Sequence, residues 1–368
     1  MNVVPAAPPA APAHLLLLEP RVEGHHLTWL RMVLEDLLAT GVRLTMALDH
    51  SPEAEHRWRE QLSGLLDGVQ CIPVKVTHGR RCRVSAAAAA EALESSGADE
   101  IYMGALDEFG SAALRRAAFG FNPPSALRGR WSGIYHRPRF LEPGQSPNDW
   151  LKRLGLARLL RAGWWRRIFL VDEFLWAQAR TIWPASPFFF LPTPGSQSFA
   201  IPAAQARQQL GLPLGSKIFL FFGGGSRRKG LHVALDTFQA LPANLSAFLL
   251  VAGQQLAEPK LLSQMAALEK AGRARVINRY ISAAEEELCF CASDFALLPY
   301  LDHFGTSAVL SNAVIAGLPV LASDDQLLGR RVREHGLGWP KLLYIWVGNV
   351  IWVWIFGHTW VKEWKPVR

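Results

Sequence analysis

The chain has 368 residues, half of them hydrophobic and 19% charged, which excludes a disordered polypeptide and favours two globular domains over one. The net charge of +8 points to an anionic partner. The cations come in short clusters beside apolar segments (Arg80, Arg81 and Arg83; Arg227 to Lys229; Arg330, Arg331 and Arg333), which argues against the long basic block of a nucleic-acid tail. Cys71, Cys82, Cys289 and Cys291 contain one C-x-C pair and no His cluster at ligand spacing, so they read as free thiols in a reducing compartment and not as a metal site.

In chain order, residues 1–13 (MNVVPAAPPAAPA) lack a positive n-region and read as a flexible Pro/Ala leader. HLLLLEP (14–20) has the form of a buried parallel strand, and the periodic leucines of 24–41 predict a helix stopped by Gly41. Residues 42–49 and 69–76 read as strands and 86–97 as a helix. Residues 98–109 form a strand passing into a loop, and 132–138 and 167–174 are further strands. The Pro/Gly-rich stretch 188–202 breaks this rhythm and is taken as the linker.

The alternation then restarts. Helices are expected at 206–213, 230–241, 259–272, 282–293 and 306–317, with strands at 217–225, 245–253, 274–281, 294–300 and 318–323. Ser282 with Glu285 three residues on has the form of a capping box. Strands alternating with helices twice over imply α/β architecture, with two tandem Rossmann-like, doubly wound domains facing across a cleft at the carboxyl ends of their strands. The expected domains are 14–195 and 196–338, followed by an atypical Trp-rich tail, 339–368.

Two stretches carry chemistry. In IFLFFGGGSRRKGLHVA (218–234) a buried strand ends on three glycines and three cations where a helix begins. Glycines let the backbone approach a phosphate, helix-start N–H groups face it, and Arg and Lys add charged donors. This is neither a Walker loop, since Gly230 follows the lysine, nor a dinucleotide fingerprint. In PYLDHFGTSAVLSNAVIAGLPVLASD (299–324) a polar loop with Asp302, His303, Gly305, Thr306 and Ser307 opens a second helix after a second buried strand. In the N-terminal domain, His25 and His26 offer a base or a phosphate contact, or simply a helix cap. Asp107 and Glu108 follow a strand end and read as a solvated turn, with contact to an acceptor as the alternative, and His136 reads as structural.

With FFGGGSRRKGLHVAL, VINRYISAAEEELCFCASDFALLPY and HFGTS followed by AGLPVLASD, the C-terminal half resembles the nucleotide-sugar-binding domain of GT-B-fold glycosyltransferases of the family-4, group 1 type. The resemblance covers about 205–338 and is fainter over 14–200. It implies transfer of a sugar from a nucleotide-diphosphate-sugar donor to a glycan, lipid-linked or small-molecule acceptor, retention of configuration, and no required cofactor or metal. It places the diphosphate at Gly224, Gly225, Arg228 and Lys229, and phosphate and ribose at Gly305, Thr306 and Ser307. Gly24 and His25 face the donor. His303 and Asn312 stand, with His25, at the catalytic positions.

Family members usually carry two glutamates eight positions apart near this loop; here Phe304 and Asn312 occupy those places. That departure, with the tail, leaves a non-catalytic nucleotide-sugar binder as the alternative. The tail has six of the 14 tryptophans and admits three readings: an interfacial anchor making peripheral membrane contact, a span, or a replaced terminus. The expected location is cytoplasmic, with membrane association left open.

Overall fold

The computed structural model describes residues 13–21, 26–77, 83–142, 146–192, 199–225, 227–242, 244–255, 257–301, 303–324 and 326–339. Gly24, His25, Ser226, Asp302, the leader 1–12, part of the expected linker and the tail beyond Trp339 lie outside the described residues. The chain divides into two units between Pro192 and Thr193.

In the first unit, in chain order, the elements are β1 (His14–Glu19), α1 (His26–Ala39), β2 (Arg43–Leu48), α2 (Pro52–Gln61), β3 (Gln70–Pro73), β4 (Val76–Thr77), β5 (Arg83–Val84), α3 (Ala86–Ser96), β6 (Glu100–Met103), α4 (Leu106–Ala118), β7 (Trp131–Tyr135), α5 (Pro147–Arg161), β8 (Trp165–Leu170), α6 (Glu173–Ile182) and β9 (Phe188–Phe190). Seven strands form one parallel sheet in the order β3-β2-β1-β6-β7-β8-β9, while β4 and β5 pair separately. All six residues of β1 are buried, as a strand covered on both faces requires.

The second unit holds α7 (Ala203–Leu210), β10 (Lys217–Phe222), α8 (Leu231–Ala240), β11 (Ala247–Ala252), α9 (Pro259–Lys270), β12 (Ala274–Ile277), α10 (Ala283–Cys291), β13 (Phe295–Leu298), α11 (Ala308–Ile315), β14 (Val320–Ala322), α12 (Gln326–Glu334) and β15 (Gly338–Trp339). Its sheet runs β12-β11-β10-β13-β14-β15, all parallel. Period-2 alternation sends Ile218, Leu220, Phe248 and Leu250 to one core and Phe219, Phe221, Leu249 and Val251 to the other. Both sheets are the α/β, doubly wound kind, and the strand order of the second reverses between β10 and β13, where such sheets bind ligands.

Several elements differ from the sequence reading. Residues 106–109, read as the loop after a strand, open helix α4, and neither the rest of α4 nor α5 was anticipated. Each contains a glycine that weakens the helical pattern and is required by packing. A Cβ at Gly155 of α5 would lie 1.8 Å from the Leu114 carbonyl oxygen of α4, and one at Gly110 of α4 would lie 2.3 Å from the Tyr135 hydroxyl. Phe188–Phe190, assigned to the linker, is the edge strand, with Ile168 opposite Phe188. The stretch 69–76 is two strands, not one.

The capping box at α10 is present. The Ser282 hydroxyl accepts from the Glu285 N–H at 3.4 Å, and the Glu285 carboxylate accepts from the Ser282 N–H at 3.0 Å. The Arg279 guanidinium and these serine bonds hold the Glu285 carboxyl down at about 2. Ser282→Ala should lower the stability of this unit by about 1 kcal/mol, read as a lower urea midpoint with an unchanged slope.

Candidate functional site

The site grows out of the end of β10. The Gly223 N–H continues the ladder by bonding the Ala252 carbonyl at 2.8 Å, and Gly225 bridges to Gln255 in the loop after β11. A single turn of 3₁₀ helix, Arg227–Lys229, precedes Gly230, which adopts φ 72° and caps α8. Only glycine fits there: a Cβ would meet the Pro299 carbonyl oxygen at 1.9 Å. Gly223 serves the lysine, since a Cβ on it would stand 2.4 Å from Lys229 Nζ.

The second polar loop is joined to the first. The Leu301 N–H donates to the Arg228 carbonyl at 2.7 Å. The Arg228 guanidinium donates to His303 Nδ1, and His303 Nε2 lies 3.3 Å from the Thr306 carbonyl, so the ring accepts on one side and donates on the other. His303 packs edge-on against Tyr300, whose ring also lies beneath Lys229, 6.0 Å from Nζ. Ser307 caps α11, accepting from the Leu310 N–H at 3.3 Å, while its hydroxyl contacts the Tyr300 hydroxyl at 3.4 Å. Gly305 has φ 117° and is buried, and Thr306 is half-buried beside it.

The structure therefore brings Gly224, Gly225, Arg228, Lys229, His303, Gly305, Thr306 and Ser307 onto two loops at the adjacent ends of β10 and β13. Burial, and secondarily the Arg228 charge, lower the Lys229 pKa below the ordinary lysine value. Asn312 sits further along α11, buried, and donates to the Glu286 carboxylate at 2.6 Å. Burial raises the Glu286 pKa, against a smaller opposing effect of that bond. Glu286 on α10 thus supplies the partner of Asn312.

Gln255 escaped the sequence reading. Its side-chain amide donates to the Gly223 carbonyl at 3.2 Å and to the Gly253 carbonyl, tying the glycine loop to the neighbouring strand end. Its Oε1 is buried against Gly225 and has no hydrogen-bond partner among the described residues. A glutamine two residues beyond a strand-end glycine is the signal that could have marked it. In the first unit, Asp107 lies in the first turn of α4 rather than in a solvated turn, and its carboxylate accepts from the His136 and Arg137 N–H groups at 2.7 and 2.8 Å. His136 Nε2 bonds the Gly104 carbonyl at 2.8 Å.

Residues 203–339 match the family described as glycosyl transferases group 1. No curated protein sequence matches the chain. Among solved structures it is similar to HepE of Anabaena in complex with UDP (15% identity, 86% of this chain and 82% of that one, TM-score 0.57). It is also similar to sucrose-phosphate synthase of Thermosynechococcus elongatus (17% identity, 87% and 83%, TM-score 0.54). WaaG, a glycosyltransferase involved in lipopolysaccharide biosynthesis, matches at 17% identity over 88% of this chain and 85% of that one, with a TM-score of 0.56. At these identities the likeness speaks to fold, and the family match carries the rest. Residues 203–339 are a glycosyl transferases group 1 domain, and the chain has the two-unit α/β fold of the GT-B glycosyltransferases.

Proposed function

We propose that the protein transfers a sugar from a nucleotide-diphosphate-sugar donor to an acceptor, with retention of configuration, and that the donor diphosphate seats on Arg228, Lys229 and the N–H groups around Gly224 and Gly225. The observation that carries this reading is the meeting of two glycine-bearing loops and two cations at the switch point of a parallel sheet. Ser307, Thr306 and Gly305 supply donors and room for phosphate and ribose at the start of α11. HepE has been solved with UDP-glucose, which supports UDP as the nucleotide.

In this scheme the bond from the anomeric carbon to the β-phosphate oxygen breaks and the acceptor oxygen takes its place. The acceptor proton passes to the departing diphosphate, whose charge the two cations stabilise. Gly24, His25, His303 and Asn312 are proposed to complete the donor site, His303 by fixing the Arg228 guanidinium. Calorimetric titration with UDP, GDP and ADP tests the reading. One nucleotide is expected to bind, to be displaced by its own sugar conjugate, and to be released when that conjugate is incubated with acceptor mixtures. Failure of all three to bind would overturn the proposal.

A further inference from the structure

The glycine run at the end of β10 does not offer all of its N–H groups to a ligand. The Gly223 N–H is bonded to the Ala252 carbonyl at 2.8 Å and the Gly225 N–H to the Gln254 carbonyl at 3.3 Å, so both are spent on β11 and the loop that follows it. The Gly224 N–H has no partner among the described residues, and Gly224 is exposed. The direction of that one donor is set by the peptide plane it shares with Gly223. In a planar trans peptide the carbonyl and the N–H point opposite ways, so whatever holds the Gly223 carbonyl inward aims the Gly224 N–H outward.

Gln255 holds that carbonyl. Its Nε2 donates to the Gly223 carbonyl at 3.2 Å and also to the Gly253 carbonyl. The residue is 7% exposed, and its own main-chain N–H donates to Asn278 Oδ1 at 2.8 Å, which anchors it to the residue after β12. Gly253 leaves room for the arrangement, since a Cβ there would stand 2.7 Å from the Gly223 carbonyl oxygen. The two carbonyls also fix which way the carboxamide faces: turned over, it would set an oxygen against both. The cost falls on Oε1, buried against Gly225 with no hydrogen-bond partner among the described residues. A buried acceptor left unmade opposes folding, so the side chain is held in the pose that serves the glycine loop and not in one that satisfies itself. Without this restraint the plane between two consecutive glycines turns easily, because neither carries a Cβ.

We infer that Gln255 is a positioning residue for the donor diphosphate: it sets the Gly223–Gly224 peptide plane so that the Gly224 N–H is presented to a diphosphate oxygen before the ligand arrives. Gln255 does not itself touch the ligand. The inference rests on the proposed seating of the diphosphate on this loop. A donor already aimed spares the ligand the work of ordering the loop, and the saving appears as affinity.

The test is the amide NMR spectrum of the full chain labelled at glycine nitrogen, recorded with and without UDP, GDP, ADP or inorganic pyrophosphate. Gly224→Ala identifies the signal by removing it; the structure admits that change, since the new Cβ would lie 3.4 Å from the Gln254 carbonyl and φ is outside the left-handed region. In the parent, Gly224 should give one sharp signal that moves downfield when the diphosphate binds. In Gln255→Met, which keeps the bulk and loses both donations, that signal should broaden or split without ligand. Gly211 and Gly272, in the turns after α7 and α9, should keep theirs. Affinity for the diphosphate should fall about tenfold, the equivalent of one charge-assisted contact. Gln255→Glu, which places a carboxylate against the two carbonyls, should lose at least as much. A glutamine that only packs would give the opposite pattern: a lower melting temperature, with full affinity and an unaltered Gly224 signal in the folded protein. That pattern in Gln255→Met, or a parent Gly224 signal indifferent to bound diphosphate, would overturn this inference and leave the donor reading standing. The parent's shift decides the matter by itself if neither variant folds. Failure of every probe to bind the parent would overturn both.

Discussion

Gly230→Val is expected to remove nucleotide binding altogether and to destabilise the C-terminal unit by about 3–4 kcal/mol. Two effects add. Gly230 has φ 72°, a region that a β-branched residue enters only under strain. The new Cβ would also lie 1.9 Å from the Pro299 carbonyl oxygen, which is backbone and cannot rotate away. Relief requires the end of β13 to move. Because the Leu301 N–H is bonded to the Arg228 carbonyl, that movement displaces both polar loops together. Urea unfolding of the variant beside the parent, with titration of the nucleotide that the parent binds, checks both parts. A stable variant with intact affinity would mean that the two loops are not coupled through this contact.

Lys229→Ala should weaken nucleoside diphosphate binding about 10- to 150-fold, the equivalent of about 1.5–3 kcal/mol for one charge-assisted contact. The loss in kcat/KM should be at least as large, because the charge on the leaving diphosphate grows as the sugar departs. The pH dependence follows from burial and the Arg228 charge, which lower the Lys229 pKa. The ammonium is lost at lower pH than for an ordinary lysine, so affinity should decline as pH rises toward that lowered value, and the alanine variant should lack this decline. In the free protein the sign is opposite. A lysine whose pKa is lowered by folding binds its proton more tightly in the unfolded chain, so its contribution to stability improves as pH rises. Lys229→Met should therefore stabilise the ligand-free protein near neutral pH while impairing binding, a trade-off common at functional sites. A melting-temperature series with and without nucleotide separates the two effects. If Lys229→Met lowered stability in both, the lysine would have a structural role.

Much of this protein was legible in its sequence. Short apolar runs bounded by Gly or Pro, alternating with amphipathic stretches, determine two parallel sheets, because only a strand buried on both faces is apolar throughout. The glycine–cation stretch 223–230 and the loop before Ser307 were visible as anion-ready helix starts from residue type alone. Ser282 and Glu285 announced their cap, since that motif is entirely local.

What escaped was non-local. Gly110 and Gly155 look like helix breakers until α4, α5 and β7 pack so closely that no Cβ fits, and Phe188–Phe190 looks like linker until β8 offers an edge. The sequence could name Arg228 and His303 but could not join them. That contact exists because β10 and β13, 76 residues apart at their facing residues Phe219–Phe295 and Leu220–Ala296, are neighbours in the sheet. Gln255 and Glu286 acquire their partners in the same way, through strand order and helix placement. Chemistry that resides in one loop is written in residue order, whereas chemistry shared between loops is decided by which strands lie side by side.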